Sequence, residues 1–319
     1  MPSTVPGIGH PLHSRVESVE AGWRLDRFLA VRFPEYSRSF FLKLIQQQAV
    51  QVNGLPVAKA GHKVRAGEEV LFFLPPPESS ELRPEPVFFD ILFEDRDLIL
   101  INKPPSLVVH PGSGHKNGTL AQGLLYLHHD LPGQEEGRAG LVHRLDKDTS
   151  GILLAAKNER ALRAMMAAFQ DRRVEKIYHA ILLRTPQSSC GRIDAPVGRH
   201  RVMRQKMAIR QQGGKYAATN WQVQERYANG WCLAEIGLET GRTHQIRVHM
   251  ASQNTPVAGD ALYGGSAPPE SIIKPSRQML HASSLSFTHP LSGKQFSWTA
   301  PLWPDMLNVL AQLRALTGK

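Results

Sequence analysis

The stretch from Gly140 to Ala156, GLVHRLDKDTSGILLAA, concentrates side chains that could take part in catalysis. A dense polar cluster lies between the apolar pair Leu141 and Val142 and the apolar run 152–156. Catalytic groups often lie on loops that rigid elements hold in place, and the flanking apolar residues predict two buried strands here. An ordinary charged surface hairpin is the alternative, and it is the more frequent explanation of an isolated charge cluster.

Asp146 is the strongest candidate for a reacting group in this cluster. It follows Leu145, whose side chain is expected to be buried, so its carboxylate can be aimed as a nucleophile or as an acid or base. Asp148 competes with it, but it precedes the sequence Thr-Ser-Gly, where an Asx turn is the expected task of an aspartate. Carboxylates so close in sequence are poorly placed to flank a substrate, which argues against a hydrolase that uses both.

Two later segments could complete such a site. Lys176 and Tyr178 alternate within a predicted strand, so both side chains point to the same face of it. The segment 242–249 combines arginines and histidines within a predicted helix. An arginine that keeps a carboxylate ionised and an aromatic surface for a substrate are the partners that Asp146 would need. Taken one at a time, these residues are equally well explained as ordinary strand and helix residues.

Other common chemistries find little support in the sequence. The spacing of His143, His244 and His249 matches no zinc motif, so no metal site is expected. Neither Cys190 nor Cys232 lies in a metal-binding or catalytic pattern. The sequence also lacks a Gly-rich phosphate-binding motif and a serine nucleophile motif, so we expect no nucleotide cofactor and no serine nucleophile.

The chain is strongly basic, with 38 Lys and Arg against 28 Asp and Glu and a formal net charge of +10. A basic surface attracts polyanions, so a nucleic acid is the expected partner. The sequence contains no apolar run long enough to span a membrane, and its first residues lack the apolar core of a signal peptide. We therefore expect a cytoplasmic protein that does not contact a membrane.

The positive charge is concentrated in one stretch, because no acidic residue occurs between Asp194 and Glu225. The basic residues of this stretch are Arg199, Arg201, Arg204, Lys206, Arg210 and Lys215. We expect this basic loop, residues 199–215, to contact phosphate groups, and a merely solvated loop is the alternative.

Composition divides the chain into four segments. They are a disordered arm (1–14), a small domain (15–74), a Pro-rich linker (75–86) and a large domain (87–319). In the small domain, apolar spacing predicts one helix that ends before Pro34 and a second that Ser37 caps, followed by short strands.

The predicted helices of the small domain carry basic residues on their exposed faces. These residues are Arg24, Arg27, Arg32, Arg38 and Lys43. A helix pair of this kind, followed by a Val-Asn-Gly hairpin, resembles the S4-type RNA-binding domain. A small structural domain with solvated charges is the alternative.

The large domain contains many predicted strands and fewer, irregularly placed helices. This pattern is typical of an α+β domain with a mixed or antiparallel sheet. The segment 239–253 fits either a strand or a helix, and we favour a helix that is capped by Thr243 and ends at Asn254.

Four motifs of this domain resemble the signature motifs of the RluA-type pseudouridine synthases. They are HRLDKDTSG at 143–151, KIY at 176–178, TGRTHQIRVH at 240–249 and GDALYGG at 259–265. The resemblance covers nearly everything from Arg15 to about Leu310, and an S4 domain often precedes the catalytic domain in this family. Within the family, the sequence is most similar to the D-type branch, which acts on 23S ribosomal RNA.

The resemblance implies that Asp146 is the catalytic aspartate, which attacks the target uridine so that the base detaches and rejoins the ribose through carbon. Tyr178 would stack under the flipped base, and Arg247 would pair with Asp146. Arg144 would help to displace the uridine from its stack, whereas His143 is expected to be structural. Flipping a base costs a few kcal/mol, and stacking on an aromatic face recovers about 1–3 kcal/mol.

The resemblance and the charge pattern together predict a cofactor-free and metal-free isomerase that acts as a monomer on ribosomal RNA. The expected RNA-binding residues are Arg144, Lys176, Arg24, Arg27, Arg38, Lys43, Arg199, Arg201, Arg204, Lys206 and Arg242. A non-catalytic RNA-binding or ribosome-assembly factor on the same scaffold is the alternative from another functional class.

Overall fold

The computed structural model describes residues 11–59, 61–74, 82–112, 114–134 and 137–318. The chain divides into two compact units, Met1–Ser80 and Glu81–Lys319. The boundary falls within the stretch for which a Pro-rich linker is expected, most of which lies outside the described residues.

The first unit packs two helices against a small antiparallel sheet. Its elements are β1 (Leu12–Arg15), α1 (Leu25–Arg32), α2 (Arg38–Gln46), β2 (Val50–Val52), β3 (Leu55–Pro56) and β4 (Glu69–Phe72), and the sheet order is β1-β4-β2-β3. Ser37 caps α2 as predicted, because its Oγ accepts a hydrogen bond of 3.2 Å from the Phe40 backbone N–H. Phe28, Phe41 and Phe72 are fully buried in the core between the helices and the sheet.

The expected disordered arm is shorter at its carboxyl end than the composition indicates. Leu12 to Ser14 belong to β1 and pair with β4, where Leu12 lies opposite Phe72. Leu12 packs against the core of the first unit. The strand was not predicted because its pairing partner, β4, lies more than 50 residues later in the sequence. Residues 1–10 of the predicted arm lie outside the described residues.

The second unit is built on a large mixed sheet. Its strands are β5 (Asp90–Glu94), β6 (Leu98–Lys103), β7 (Ser150–Ala156), β8 (Glu175–Leu182), β9 (Cys190–Asp194), β10 (Val197–Arg199), β11 (Met207–Ile209), β12 (Ala218–Arg226), β13 (Cys232–Leu238), β14 (Leu280–Thr288) and β15 (Gln295–Thr299). Its helices are α3 (Leu120–Leu127), α4 (Glu159–Gln170), α5 (Gln245–Ser252) and α6 (Pro304–Thr317).

The strands of the large sheet run in the order β5-β6-β7-β14-β8-β13-β12-β9, and β15 pairs with β14. The pairing of β7 with β14 is parallel, and the others in this sheet are antiparallel. The chain is therefore α+β, with a small helix-and-sheet unit before a mixed-sheet unit, as the sequence predicts. Alternate residues of β8 enter two apolar cores, because Ala180 packs with β7 and α4 while Ile181 packs with α6.

Two local predictions were wrong. Leu141 and Val142 do not form a strand, since Leu141 makes an isolated bridge to Ala155 at the end of β7. The basic loop also contains regular structure, because β10 and β11 pair as an antiparallel hairpin. We call residues 197–209 the basic hairpin.

The helix predicted to follow a Thr243 cap is present but begins one residue later than that cap implies, at Gln245. His244, and not Thr243, is the residue that precedes its first turn, and its backbone is left-handed with φ +56°. The Gln245 side chain accepts hydrogen bonds from the Arg242 backbone N–H at 3.0 Å and from Thr240 Oγ1 at 2.7 Å. These bonds organise the turn before the helix, so the Thr243 hydroxyl is not needed there.

Candidate active site

The polar cluster lies on the loop that connects the Leu141 bridge to β7, the central strand beside β14. The side chains of β7 are buried along its whole length, so the loop begins and ends on rigid structure. Gly151 has φ +111°, and a Cβ at this position would collide with the Ala282 backbone of β14. A glycine is therefore required where the loop enters the sheet.

Asp146 and Arg247 meet in this region although their elements are far apart in the sequence. Arg247 lies on α5 and is 7% exposed, and its Nη1 donates a hydrogen bond of 3.0 Å to Asp146 Oδ2. The Asp146 side chain is partly exposed and faces an open cleft. The pairing fixes one carboxylate oxygen of Asp146 against a buried cation.

Asp260 holds the other side of the Arg247 guanidinium. Arg247 Nε and Nη2 donate to the two oxygens of Asp260 at 2.7 and 2.9 Å, and Asp260 is 1% exposed. Burial works to lower the pKa of Arg247, but its hydrogen bonds to Asp260 and the charges of Asp260 and Asp146 outweigh burial and raise that pKa. Arg247 therefore remains charged and works as a rigid link between a buried carboxylate and the cleft.

The cleft beside Asp146 has about 510 Å³ of empty space. Its lining includes Arg144, Asp146, Tyr178, Leu238, His244 and Arg247. This space is continuous with the solvent, and the cleft combines apolar walls with a few polar groups, as ligand-binding sites do.

Tyr178 reaches the cleft from the middle of β8, between β14 and β13. Its side chain is 8% exposed. Burial and the nearby Asp146 charge both raise the pKa of Tyr178, so its hydroxyl is protonated throughout the neutral range. The ring therefore offers a neutral aromatic surface next to the Asp146 carboxylate.

Two residues of the GDALYGG motif have roles in the site that the sequence did not reveal. Asp260 anchors Arg247, as described above. Tyr263 lies with its ring centroid 5.0 Å from the Arg247 guanidinium carbon, and its hydroxyl is 2.8 Å from His244 Nδ1. The motif could have indicated both residues, because it combines an acid and an aromatic residue within a turn.

Lys103 is a second unexpected component, and it lies beneath the loop. Its side chain is fully buried, and Nζ donates to the carbonyl oxygens of Pro104, Leu107 and Lys147 at 2.7, 3.0 and 2.9 Å. Burial and the charge of Arg277 lower the pKa of Lys103 to about 7. Through its hydrogen bond to the Lys147 carbonyl, the Lys103 amino group holds the loop directly after Asp146.

Arg277 supports the far end of the same loop. Its Nη1 donates to the Asp148 carbonyl oxygen at 2.9 Å, its Nη2 donates to Ser150 Oγ at 3.2 Å, and Asp305 holds its other edge. His281 also contacts Ser150 Oγ, at 3.0 Å. No local signal in the sequence indicates these contacts, because each joins residues more than 100 positions apart or depends on burial.

Asp148 does not face the cleft. In the described part of the chain, its side chain accepts a long hydrogen bond of 3.5 Å from Ser106 Oγ and closes no Asx turn. The turn is closed instead by the Thr149 backbone N–H, which donates to the Asp146 carbonyl oxygen at 3.1 Å. The prediction that Asp148 forms an Asx turn was therefore wrong, although its side chain does lie away from the cleft.

His143 lies behind the loop. Its Nε2 accepts a hydrogen bond of 3.0 Å from the Leu154 backbone N–H, and its ring stacks on Phe169. Burial lowers the pKa of His143 to about 3, so the ring is neutral. These contacts give it the structural position that the sequence predicts.

Lys176 shares a face of β8 with Tyr178 but does not line the cleft. It is 8% exposed, donates to the Val174 carbonyl oxygen at 3.3 Å and lies 5.9 Å from the Phe169 ring centroid. Burial lowers the pKa of Lys176. Its position gives no support to the expected contact with an RNA phosphate.

The other basic candidates are distributed over both units. In the first unit, Arg24, Arg27, Arg38 and Lys43 are exposed, and Arg24 and Arg38 both pair with the buried Asp26. In the second unit, the exposed Arg199, Arg201 and Arg204 and the half-buried Lys206 lie in the basic hairpin. Arg144 is exposed at the cleft, and Arg242 lines it while donating to the Tyr216 carbonyl oxygen at 3.0 Å.

One cluster away from the cleft has the composition of a metal site. Potential ligand atoms of Asp95, Asp97 and His289 lie within 4.8 Å of one another. His289 Nδ1 accepts hydrogen bonds from the backbone N–H groups of Leu291 and Ser292, so the proton of the neutral ring is on Nε2. This nitrogen lies 3.2 Å from Asp95 Oδ2, but it is buried and makes no hydrogen bond with the described residues.

Comparison with known families identifies both units. A family model described as RNA pseudouridylate synthase matches residues 97–252, and a model of the S4 domain matches residues 23–70. The matched range of the first model includes Asp146, Tyr178 and Arg247.

Individual proteins are similar over nearly the whole chain. The ribosomal large subunit pseudouridine synthase D of Escherichia coli K12 is 39% identical over 313 residues, which cover 95% of this chain and 94% of that protein. A Bacillus subtilis protein described as an uncharacterized RNA pseudouridine synthase is 41% identical over 292 residues, or 91% and 94% of the two chains. The structure of human RNA pseudouridylate synthase domain containing 4 superposes with a TM-score of 0.56 at 28% identity, and the match covers 70% of this chain and 92% of that one.

Proposed function

The chain belongs to the RNA pseudouridylate synthase family, and we propose that it converts specific uridines of large-subunit (23S) ribosomal RNA into pseudouridine. The observation that supports this most strongly is the Asp146 carboxylate, held 3.0 Å from the buried Arg247 at the edge of a cleft that Tyr178 also lines. The similarity to ribosomal large subunit pseudouridine synthase D supports the choice of RNA.

The proposed reaction is an isomerisation. The bond between ribose C1′ and base N1 breaks, a bond between C1′ and base C5 forms, and the hydrogen of C5 is replaced by one on N1. Asp146 is the group that forms the transient bond to the nucleoside, to its sugar or its base, so that the base can detach and turn. No electron is gained or lost overall, so the proposed reaction calls for no redox cofactor.

A uridine must leave its stack before it can enter the cleft, and two residues suit this step. Arg144 is exposed at the cleft and carries a cation that can displace or replace the base. Tyr178 offers its ring as a stacking surface, which would return about 1–3 kcal/mol of the cost of flipping. The neutral phenol beside Asp146 is also available for proton transfer.

We propose that two basic surfaces, one in each unit, bind the RNA. The first is the exposed basic face of the S4 domain, and the second is the basic hairpin of the synthase domain. We propose that the S4 domain spans residues 15–74 and the synthase domain residues 87–319. Arg242 contributes from the cleft edge. Contacts of this type are with phosphates, so they position the RNA and do not read its sequence.

We further propose that the protein acts as a monomer in the cytoplasm, where ribosomal RNA is modified, and needs no metal. Within the part of the chain that the structure describes, none of the helices is long and apolar enough to cross a membrane. Both RNA-binding surfaces and the complete set of Asp146, Tyr178 and Arg247 are supplied by one chain, so the proposed site needs no second copy.

The substrate can be tested in cells that lack the gene. Pseudouridine mapping of the 23S RNA should show sites that disappear on deletion and return when the wild-type gene is supplied. A second plasmid that carries Asp146→Asn distinguishes an enzyme from the alternative function, a non-catalytic RNA-binding or assembly factor. Return of the sites with that variant, or an unchanged map on deletion, would contradict the proposal.

A further inference from the structure

His244 occupies an unusual position at the cleft. Its backbone lies in the left-handed region, with φ +56° and ψ +19°, which residues with a side chain adopt infrequently. Such conformations persist where surrounding contacts demand them, and they concentrate in functional sites. The strained backbone places the imidazole in the cleft, with Nε2 3.9 Å from Asp146 Oδ2.

The hydrogen bonds of Tyr263 determine which nitrogen of His244 carries the proton. The Met207 backbone N–H can act only as a donor, and it lies 2.7 Å from the Tyr263 hydroxyl oxygen, which must accept. The hydroxyl proton is then directed to His244 Nδ1 at 2.8 Å. The reverse assignment would leave the hydroxyl proton without an acceptor among the described residues. These contacts favour His244 Nδ1 as the acceptor, which places the ring proton on Nε2.

The charges around His244 favour the neutral ring. Burial, Arg247 and Arg144 lower the pKa of His244, and they outweigh Asp146 and Asp260, which raise it. The Tyr263 ring is itself held between cations, because Arg247 and Lys206 lie 5.0 and 5.9 Å from its centroid. The arrangement presents a fixed, neutral Nε2–H donor to the cleft.

We infer that His244 Nε2–H donates a hydrogen bond to the uracil base as it detaches, and that Tyr263 is the positioning residue that holds His244 in this tautomer. The inference rests on the proposed function. When the C1′–N1 bond breaks, its electron pair moves onto the base, and the negative charge spreads over the ring nitrogen and its neighbouring carbonyl oxygens. A donor fixed before the reaction stabilises this charge, and the proton remains on His244 throughout.

The His244 Nε2–H group does not form a hydrogen bond with Asp146. A separation of 3.9 Å between His244 Nε2 and Asp146 Oδ2 is too long for a hydrogen bond, and Arg247 already occupies that oxygen at 3.0 Å. The N–H is therefore directed into the cleft next to the carboxylate and remains available to a substrate oxygen.

Three variants test the inference. His244→Leu removes the donor, and its rate of pseudouridine formation in a single turnover should fall about 10²-fold, the usual effect of losing one donor to a developing anion. His244→Gln keeps a neutral N–H donor at nearly the same reach and should retain more of the rate. Tyr263→Phe keeps the ring between its two cations but cannot hold the tautomer, and its rate should fall by a smaller factor. RNA affinity should be unchanged in both His244 variants.

Long-range ¹H–¹⁵N spectra of the histidine rings give a readout that does not depend on activity. Wild-type His244, assigned by its loss in His244→Gln, should be neutral with its proton on Nε2, and Tyr263→Phe should show a mixture of tautomers. A proton on Nδ1 in the wild type, or a wild-type rate in His244→Leu, would overturn the inference. If His244→Leu does not fold, the wild-type spectrum and the His244→Gln rate decide. A wild-type protein that forms no pseudouridine would contradict the proposed function instead, and the spectrum would still test the tautomer.

Discussion

Arg247 grips Asp260 through two parallel hydrogen bonds of 2.7 and 2.9 Å, and both side chains are almost fully buried. The third nitrogen of the same guanidinium is the one that reaches Asp146. The position of the Asp146 carboxylate thus depends on the buried ion pair between Arg247 and Asp260. A planar guanidinium can bridge two carboxylates in this way, whereas an ammonium group cannot reproduce the fork.

Asp260→Asn should destabilise the synthase domain by about 3–5 kcal/mol, because the change leaves a buried arginine without its principal counter-charge. Urea unfolding followed by tryptophan fluorescence measures the effect. Asp171→Asn is a matched control, since Asp171 pairs with Arg173 at 3.0 Å on the exposed surface, where such pairs contribute about 0–1 kcal/mol. Equal losses in the two variants would show that the buried pair has no special role.

Lys103 should give the protein a distinctive dependence of stability on pH. Its pKa is about 7 in the folded protein and about 10.4 in the unfolded chain, so between these values the unfolded chain binds more protons and stability rises with pH. Below pH 7 the cost of burying the charged form is fully present. From pH 7 to 9 the wild type should gain about 2 kcal/mol relative to Lys103→Met, measured by urea unfolding at each pH. Parallel curves would contradict the low pKa.

Tyr178→Leu should weaken catalysis by removing the stacking surface, at a cost of about 1–3 kcal/mol in the flipped state. Tyr178→Phe keeps the ring, so single-turnover rates with the same RNA separate stacking from any role of the hydroxyl. Retained activity in the phenylalanine variant assigns the effect to stacking. If the leucine variant is as fast as the wild type, the base does not stack on this residue.

Neutralising the hairpin residues Arg201, Arg204 and Lys206 with glutamine should flatten the salt dependence of RNA binding. Each lost phosphate contact reduces the slope of log K against log salt by about 0.7–0.9. The exposed Lys274 and Lys294, changed to glutamine in the same way, serve as a control for net charge. An equal loss of slope per charge in both sets would mean that the hairpin makes no direct contacts.

Local signals were sufficient to predict much of the fold. Ser37 was recognised as a cap from its type and position, and its side chain accepts the expected backbone hydrogen bond at 3.2 Å. The two-residue period of β8 correctly placed Lys176 and Tyr178 on one face. The period cannot tell that Phe169 covers only the lysine end of that face, which is why the sequence grouped two residues that have different surroundings.

The parts of the site that the sequence missed depend on contacts between distant segments. Lys103 is recognisable only once the carbonyl of Lys147, 44 positions later, is seen to lie above it. The left-handed backbone of His244 could not be predicted either. The residue types before α5 fit a Thr243 cap equally well, and the contact of His244 with Tyr263 is visible only in the structure. Buried charges and strained backbones have no local pattern, so resemblance to a family could supply Asp146 and Arg247 but not Lys103 or the backbone conformation of His244.

The central claim is that Asp146 is the reacting carboxylate, and purified Asp146→Asn tests it most directly. The variant keeps the shape of the side chain and leaves the Arg247–Asp260 pair intact. We predict that it binds large-subunit RNA as tightly as the wild type, while its rate of pseudouridine formation in a single turnover falls by at least about 10³-fold. Pseudouridine formation by Asp146→Asn at a rate close to that of the wild type would contradict the account.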